Sequence, residues 1–443
     1  MKTFNFLFSI LFILYSCSKA DDSINSQSSL PSAATRTAGD GVYDALGYGY
    51  DITDEFLGES STKLKVIDVD SFVKENKGRF DNPFIGIIDQ RVSGGEDAQS
   101  FLKQIITDSN FHGSVAALGK QDESGFFSAT VTTGFKSNTK YSYSTKYSFA
   151  RAEVIKKQRQ YLLNTDVQTL SKYLSPVFLE DLNKYSPDEI VKKYGTHVLT
   201  NITVGGLYTA YYKSAVIEES SHEEKTKIVS AGAKFNLKKI GLDANGSWSN
   251  TEITELNKKN MNWECYIKAL GGSTSGTSYT ISPNQETSIS INLGNWTSSV
   301  DDTHSKLVKV DWNATYPIYD LISDPLKKEQ IKSAVIKYIE SHQLPPILQL
   351  LPLYEMYDPK QKDRFYVTSW DAVQFQISKY GNQYRSQLGY ILAKSDPETL
   401  PLYEMYDPKQ KDRFYVTSWD AVQFQISNYG NQYRSQLGYI IPM

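Results

Sequence analysis

The chain carries five histidines and two cysteines, and one histidine has an unusual setting, "YGTHVLTNITVGG" from Tyr194 to Gly206. An imidazole can serve as a general base or hold a metal. Either role needs partners. His197 has no acidic residue or second histidine close by in sequence, and no HExxH pattern occurs. Cys17 falls in an apolar leader and Cys265 stands alone, so neither offers a nucleophile beside it. The glycines point elsewhere. Gly205 and Gly206 interrupt a run of β-branched and aromatic residues, and paired glycines inside a strand mark a bulge, a sharp bend or a close backbone approach. The sequence therefore predicts neither catalytic residues nor a metal or cofactor site, and the chain is read as a non-enzyme.

The elements around His197 are legible. Ser186, Pro187 and Glu189 form a capping box with proline at the first helical position, which predicts a helix ending near Tyr194 and a long strand after it. A closing helix is predicted from Asp324-Pro325, with Leu326, Ile331, Val335, Tyr338 and Ile339 spaced to share a buried face. Two adjacent prolines in "QLPPILQLLP" then stop helical structure.

The bulk composition narrows the function. Of 443 residues, 40% are hydrophobic, 22% charged and 13% aromatic. The net charge of -3 comes without a long basic run, which speaks against a nucleic-acid partner. Residues 1–16 have the shape of a signal peptide. "LYSC" looks like a bacterial lipobox, making Cys17 the lipidated residue; the alternative is a plain secretory signal cleaved further on. An acyl anchor adds roughly 0.8 kcal/mol of membrane affinity per buried methylene. With Cys17 acylated, Cys265 has no partner for a disulfide. Residues 17–41 read as a flexible tether, 42–342 as a mixed domain, 343–350 as a linker and 351–443 as a duplicated domain. In the last, residues 351–391 recur at 400–440 with one change, Lys379 to Asn428. Each copy predicts a strand, a turn at "DPKQKD", a strand "RFYVT", a helix capped by Ser369 or Ser418 and stopped at Gly381 or Gly430, and a last strand.

The motif Tyr194, Gly195, Thr196, His197, then Gly205 and Gly206, is similar to the signature of the membrane attack complex/perforin (MACPF) family. Val198 departs from that signature, which has Phe or Tyr there. "LGYGYDIT", "WECYIKALGG" and "YPIYDLI" extend the resemblance over roughly Gly41 to Glu340. The lipobox type resembles the Bacteroidales secreted antimicrobial proteins. The repeats resemble a short aromatic module of secreted bacterial proteins, three of which commonly close a trefoil-like domain; this chain has two. The resemblance implies an α+β chain: a bent antiparallel sheet flanked by helical clusters that unfurl into membrane-inserting β-hairpins, followed by a small β-rich domain of two near-identical repeats.

The sequence bears on that mechanism independently. From Phe127 to Phe149 apolar and aromatic residues favour the odd positions and polar ones the even positions, around a turn at "KSNT". Phe127, Val131, Phe135, Tyr141, Tyr143 and Tyr147 are the expected lipid-facing residues. Helical spacing precedes them at Ala98, Phe101, Leu102, Ile105 and Ile106. A second segment, residues 214–262, alternates less cleanly through Phe235 and Leu237. Ordinary half-buried strands are the alternative for both. Five lipid-facing side chains on one strand yield on the order of 10 kcal/mol, whereas unpaired strand edges in hydrocarbon cost several kcal/mol per group. Insertion therefore requires many subunits side by side, in a homo-oligomeric ring.

Three functions compete on this evidence. The first is a lipid-anchored or shed pore-forming toxin at the bacterial outer membrane, acting on a target-cell membrane. The second is a non-lytic adhesin on the same scaffold, and the third is a hydrolase with accessory modules, which lacks a catalytic constellation. Recognition of a surface glycan, lipopolysaccharide or outer-membrane protein falls to the repeats, with Tyr354, Tyr357, Trp370, Tyr403, Tyr406 and Trp419 as candidates, since aromatic faces pack on sugar rings.

Overall fold

The computed structural model describes residues 42–111, 125–135, 144–216, 219, 221–243, 250–283, 289–344, 346–397 and 399–441. Cys17, Tyr141 and Tyr143 lie outside them. Residues Thr35–Met443 form one compact unit.

The strands before the repeats are β1 (Tyr48–Tyr50), β2 (Thr62–Lys65), β3 (Phe80–Asp81), β4 (Ile88–Gly95), β5 (Ser148–Leu163), β6 (His197–Val198), β7 (Asn201–Val216), β8 (Asn260–Leu270), β9 (Ser278–Ile281), β10 (Lys306–Val310) and β11 (Tyr316–Pro317). The helices that matter here are α1 (Ala98–Asp108), α2 (Pro176–Lys184), α3 (Pro187–Tyr194), α4 (His222–Lys239), α5 (Asn250–Asn257), α6 (Leu293–Ser298) and α7 (Pro325–Ser341). The long strands β5 and β7 pair antiparallel along their length, from Ser148 opposite Ser214 to Leu162 opposite Asn201. Each changes its outer partner midway. Along β5 the neighbour is β4 at Phe149–Lys156 and β3 at Leu162–Leu163. Along β7 it is β8 from Leu207 and β10 up to Gly205. The sheet is thus β4-β5-β7-β8-β9 at one end and β3-β5-β7-β10 at the other.

Both faces of this sheet are covered. Phe149 and Ile155 of β5 and Leu207 and Tyr211 of β7 belong to one core with α1. Ala150, Ala152, Val154, Tyr208, Ala210 and Tyr212 belong to a second core with Val229, Ala233 and Leu237 of α4. Alternation along the strands places one set on each face. The capping box at Ser186 forms as expected, and Asp324 caps α7. Ile331, Val335 and Ile339 are buried, but Leu326 is 69% exposed; it lies in the first turn of α7, before the helix meets the α3 face. The strand expected to run on from His197 is broken at Leu199–Thr200. His197 and Val198 instead pair with β1 and β11 in a separate four-stranded sheet, β11-β6-β1-β2.

The repeats fold alike into β12 (Leu350–Asp358), β13 (Asp363–Val367), α8 (Trp370–Phe375) and β14 (Gln383–Leu392), then β15 (Leu400–Asp407), β16 (Asp412–Val416), α9 (Trp419–Tyr429) and β17 (Gln432–Ile440). Ser369 and Ser418 cap the helices; Gly381 ends the π-type turn Gln376–Tyr380 that continues α8, and Gly430 ends α9, at φ of 76° and 71°, a left-handed setting that favours glycine. The six strands run β13-β12-β14-β17-β15-β16. The two outer strands then meet: Arg413 reaches Asp363 at 2.9 Å, the Tyr366 amide donates to the Tyr415 hydroxyl at 3.1 Å, and those two rings lie 5.0 Å apart. Two units therefore close on each other.

Candidate functional site: one sheet end and its two helical connections

Two connections leave the same end of the sheet. β4 ends at Gly95 opposite Phe149 of β5, and β7 ends at Val216 opposite Asn260 of β8. Since Ser148 faces Ser214, both gaps open at that end. About 50 residues bridge β4 to β5, and about 40 bridge β7 to β8. In each case a long segment joins neighbouring antiparallel strands already in register.

The first connection begins with α1, started by a capping box between Asp97 and Ser100. Its predicted stripe, Ala98, Phe101, Leu102, Ile105 and Ile106, is buried. Residues 125–135 then form tight helical turns, ending in a π-type turn at Thr130–Gly134. Phe127, Val131 and Phe135 are buried there rather than arrayed on a strand. Phe135 makes edge contacts with Phe101, Phe149 and Tyr211 at 5.1–5.4 Å. A clasp from residues 51–56 holds this segment: Phe127 and Ala129 donate to the Ile52 and Thr53 carbonyls, and the Phe56 amide donates to Thr130 Oγ1 at 2.8 Å. Phe127 has a φ of 55°, a left-handed conformation costing an aromatic residue on the order of 1–2 kcal/mol. Extension would release that strain.

The second connection lies on the opposite face. α4 approaches closely because the facing residues are small: Gly94, Ala150, Ala152 and Ala210 on the sheet. A Cβ at Gly94 would sit 2.4 Å from Ser230 Oγ, and one at Gly232 would sit 2.4 Å from the Tyr212 ring. Leu237 is buried and Phe235 half-buried. The two lie roughly 200° apart around a helix, so the alternation expected of a strand does not describe this face.

Between the clasp and the sheet sits a charged group. Both Glu55 oxygens accept from Lys268 Nζ, at 2.7 and 2.6 Å, and Tyr211 donates to the same carboxylate. Arg151 pairs with Glu153 at 2.7 Å and lies over the Phe56 ring. Burial, and next the Glu55 charge, push the Tyr211 hydroxyl far up, so it remains a donor. A cavity of about 360 Å³ adjoins this group. Each charge has an opposite partner, which fixes the clasp rather than activating a nucleophile.

The glycine pair sits where β7 exchanges β10 for β8. A Cβ on Gly205 would fall 1.9 Å from the Lys156 carbonyl, and one on Gly206 would meet Val300 and Trp296 at 2.6 and 2.7 Å. Opposite them β5 carries an extra residue, Gln158. Of the alternatives anticipated for the pair, the close approach is present at the glycines, and the bulge lies opposite them in β5. Trp296 of α6 fills the junction, 1% exposed and bonded to the Gly271 carbonyl.

His197 is fully buried among Phe111, Trp312 and Thr196. Burial pushes its pKa down to about 3, so it is neutral at any ordinary pH. Cys265 is buried on β8 and burial pushes its thiol up, away from reactivity. Among the described residues no group of three or more His, Cys, Asp or Glu is placed to hold a metal, and no helix is long and apolar enough to cross a membrane.

The recognition candidates divide. Tyr354 is only 3% exposed, packed with Met356, Phe365 and Val373 and in ring contact with Trp370 and Tyr384. It builds the unit's core and offers no face. Tyr357, Trp370, Tyr403 and Tyr406 are half-buried and Trp419 is exposed. The helical segments expose others outside that candidate set: Phe375, Tyr380, Phe424 and Tyr429. The signal available for these was their place on a short helix with a single buried residue, Val373 or Val422. The close-packing small residues under α4 were also missed, although the Gly94-Gly95 pair was visible.

An antiparallel sheet that changes its outer strands midway, with a long, helix-bearing connection at each of two neighbouring strand pairs, defines the class. The chain belongs to the MAC/Perforin domain family, whose model matches residues 31–348. A second model, a domain of unknown function termed DUF5648, matches residues 326–440. Among solved structures, the chain is similar to a MAC/Perforin-domain protein from Bacteroides thetaiotaomicron, described as a candidate cell-invasion protein. The two are 16% identical, with a TM-score of 0.53 over 83% of this chain and 71% of that one. It is also similar to GNIP1Aa from Chromobacterium piscinae, at 15% identity and a TM-score of 0.50, covering 84% of this chain and 66% of the other. The chain thus spans about two thirds of the latter's length. No curated protein matches it.

Proposed function

We propose that the protein is a pore-forming toxin directed at bacterial cells, which oligomerises head to tail on a target membrane and inserts two β-hairpins per subunit. The observation that carries this reading is the placement of both connections at one end of the sheet, each between strands already paired. Unfurling would lengthen β4, β5, β7 and β8 in their existing register, which turns the first hairpin at about residue 122 and puts residues 127–149 on one limb instead of on both sides of the "KSNT" turn expected from the sequence. Each limb would have about 20 to 25 residues, against the roughly 9–11 that a tilted strand needs to cross a bilayer. Opening would require α1 and α4 to leave the sheet and the clasp at residues 51–56 to release. The Gly205-Gly206 junction is the place where the sheet can flex. The C-terminal repeats supply target recognition, and Cys17 carries a lipid that holds the protein at the outer membrane until it is shed or engaged.

Thr133 gives a direct test. It is exposed in the folded protein yet falls on the lipid-facing register of the extended ribbon. Thr133→Lys should leave stability and cell binding unchanged and abolish dye entry into susceptible bacteria, because a charge near the bilayer midplane costs about 2–4 kcal/mol per strand. Wild-type protein that binds bacterial and host cells without dye entry into either would instead establish an adhesin.

A further inference from the structure

A second cavity, of about 530 Å³, lies where the repeats meet the sheet end. Its walls include Lys146, Tyr147 and Lys213 on one side and Leu350, Tyr390 and Tyr439 on the other. Three tyrosines, two lysines and Ser144 share walls completed by aliphatic side chains. The Lys146 ammonium lies 5.1 Å from the Tyr147 ring and 5.3 Å from the Tyr390 ring. It has no carboxylate within ion-pair distance among the described residues. Lys213, only 8% exposed, lies on the same wall, 5.5 Å from Tyr147 and 3.1 Å from Glu264. A cation in a cleft with low-dielectric walls focuses its field on whatever enters. Tyrosine faces pack against the apolar faces of sugar rings.

We propose that this cleft binds an anionic sugar, with the phosphate or carboxylate on Lys146 and the sugar ring against the wall that carries Tyr390 and Tyr439. The assignment deepens the recognition half of the function proposed above, and rests on it only for the biological role of the ligand. It differs from the repeat-only recognition first expected, because half of the site belongs to the MACPF domain. The location has a mechanical side. Thr145 Oγ1 accepts from the Leu350 amide at 2.7 Å, and the Thr145 amide donates to the Leu348 carbonyl at 3.1 Å. A ligand seated on Lys146 therefore sits beside the seam that ties the repeats to the root of the first insertion segment.

The experiment uses mature full-length protein with Cys17→Ser. Saturation-transfer NMR with glucose 1-phosphate, glucose and inorganic phosphate tests free ligands. Co-sedimentation with phosphatidylcholine vesicles, with and without lipid A, tests a membrane-borne source. The expected result is binding of glucose 1-phosphate in preference to glucose and to inorganic phosphate. Lys146→Gln should weaken it about tenfold, equivalent to about 1.4 kcal/mol, with Tm unchanged; Tyr390→Ala should weaken it as well. Binding in the vesicle arm alone, lost in Lys146→Gln, would identify a lipid headgroup as the source. No binding in either arm, or binding that both variants retain, overturns the site. Dye entry is scored separately, so a sugar-binding protein that never permeabilises cells would sink the pore reading and leave this site standing.

Discussion

If the second connection must leave the sheet for a pore to form, tethering α4 should stop it. Gly94 on β4 and Ser230 on α4 are suited to the purpose, since a Cβ on Gly94 would lie 2.4 Å from Ser230 Oγ. Cysteines at both positions are close enough to bridge after a small adjustment. The bridge would span residues 94–230, a loop long enough to stabilise the folded state by about 5 kcal/mol in the chain-entropy model. Against it stands the burial that already holds α4 down. Ile228, Val229 and Leu237 are each fully buried, together contributing roughly 5–9 kcal/mol. A covalent link makes release impossible instead of merely slow. Gly94→Cys/Ser230→Cys protein should bind cells normally when oxidised, admit no dye, and regain wild-type entry on reduction. Cys265 is buried and will not interfere. Full dye entry from protein shown by thiol titration to be completely bridged would refute the claim that α4 is displaced.

Other outcomes follow from the same contacts. Gly205→Ala should lower Tm by several degrees, because its methyl would meet backbone rather than a movable side chain; overpacking of this kind costs about 1–3 kcal/mol. His197 titrates at 6.5 when unfolded and near 3 when folded. Its neutral form therefore sustains stability above pH 6.5, and stability is lost as pH falls from 6.5 toward 3, at about 1.4 kcal/mol per pH unit. Denaturant melts at pH 6.5 and 5 should show a fall about 2 kcal/mol smaller in His197→Asn than in wild type. The repeats offer an internal comparison. Arg413→Ala should destabilise the C-terminal domain by about 1–3 kcal/mol, since it strips the partner from Asp363. Arg364→Ala, at the same place in the other copy and 72% exposed, should change its melting by less than about 0.5 kcal/mol.

Local rules made much of this readable. Caps at Ser186, Asp324, Ser369 and Ser418, the stripe of α1 and the glycine stops of the repeats each depend on a few neighbouring residues, and each formed as expected. The first connection was ambiguous for a specific reason. Phe127, Val131 and Phe135 are four apart, a spacing that shares a face in a helix and also in a strand, so one sequence satisfies both states. That double compatibility is what a refolding segment requires. The site at Lys146 was not legible, because Tyr147 and Tyr390 are brought together only by tertiary packing. Nor could identical letters reveal that Asp363 is buried while Asp412 is exposed; the difference arises from which copy leans on the other.

The contact between β13 and β16 bears on how this chain can change over generations. Two stretches of nearly identical coding sequence in tandem invite unequal exchange, which adds or deletes whole copies. A deletion would strip the remaining outer strand of its cover, presenting an open edge to any passing chain. An insertion would have to prise Arg413 from Asp363 and Tyr415 from Tyr366 before a third unit could enter. The contact between the outer strands thus opposes a change in copy number, whereas the one difference between the copies, Lys379 against Asn428, falls on exposed positions.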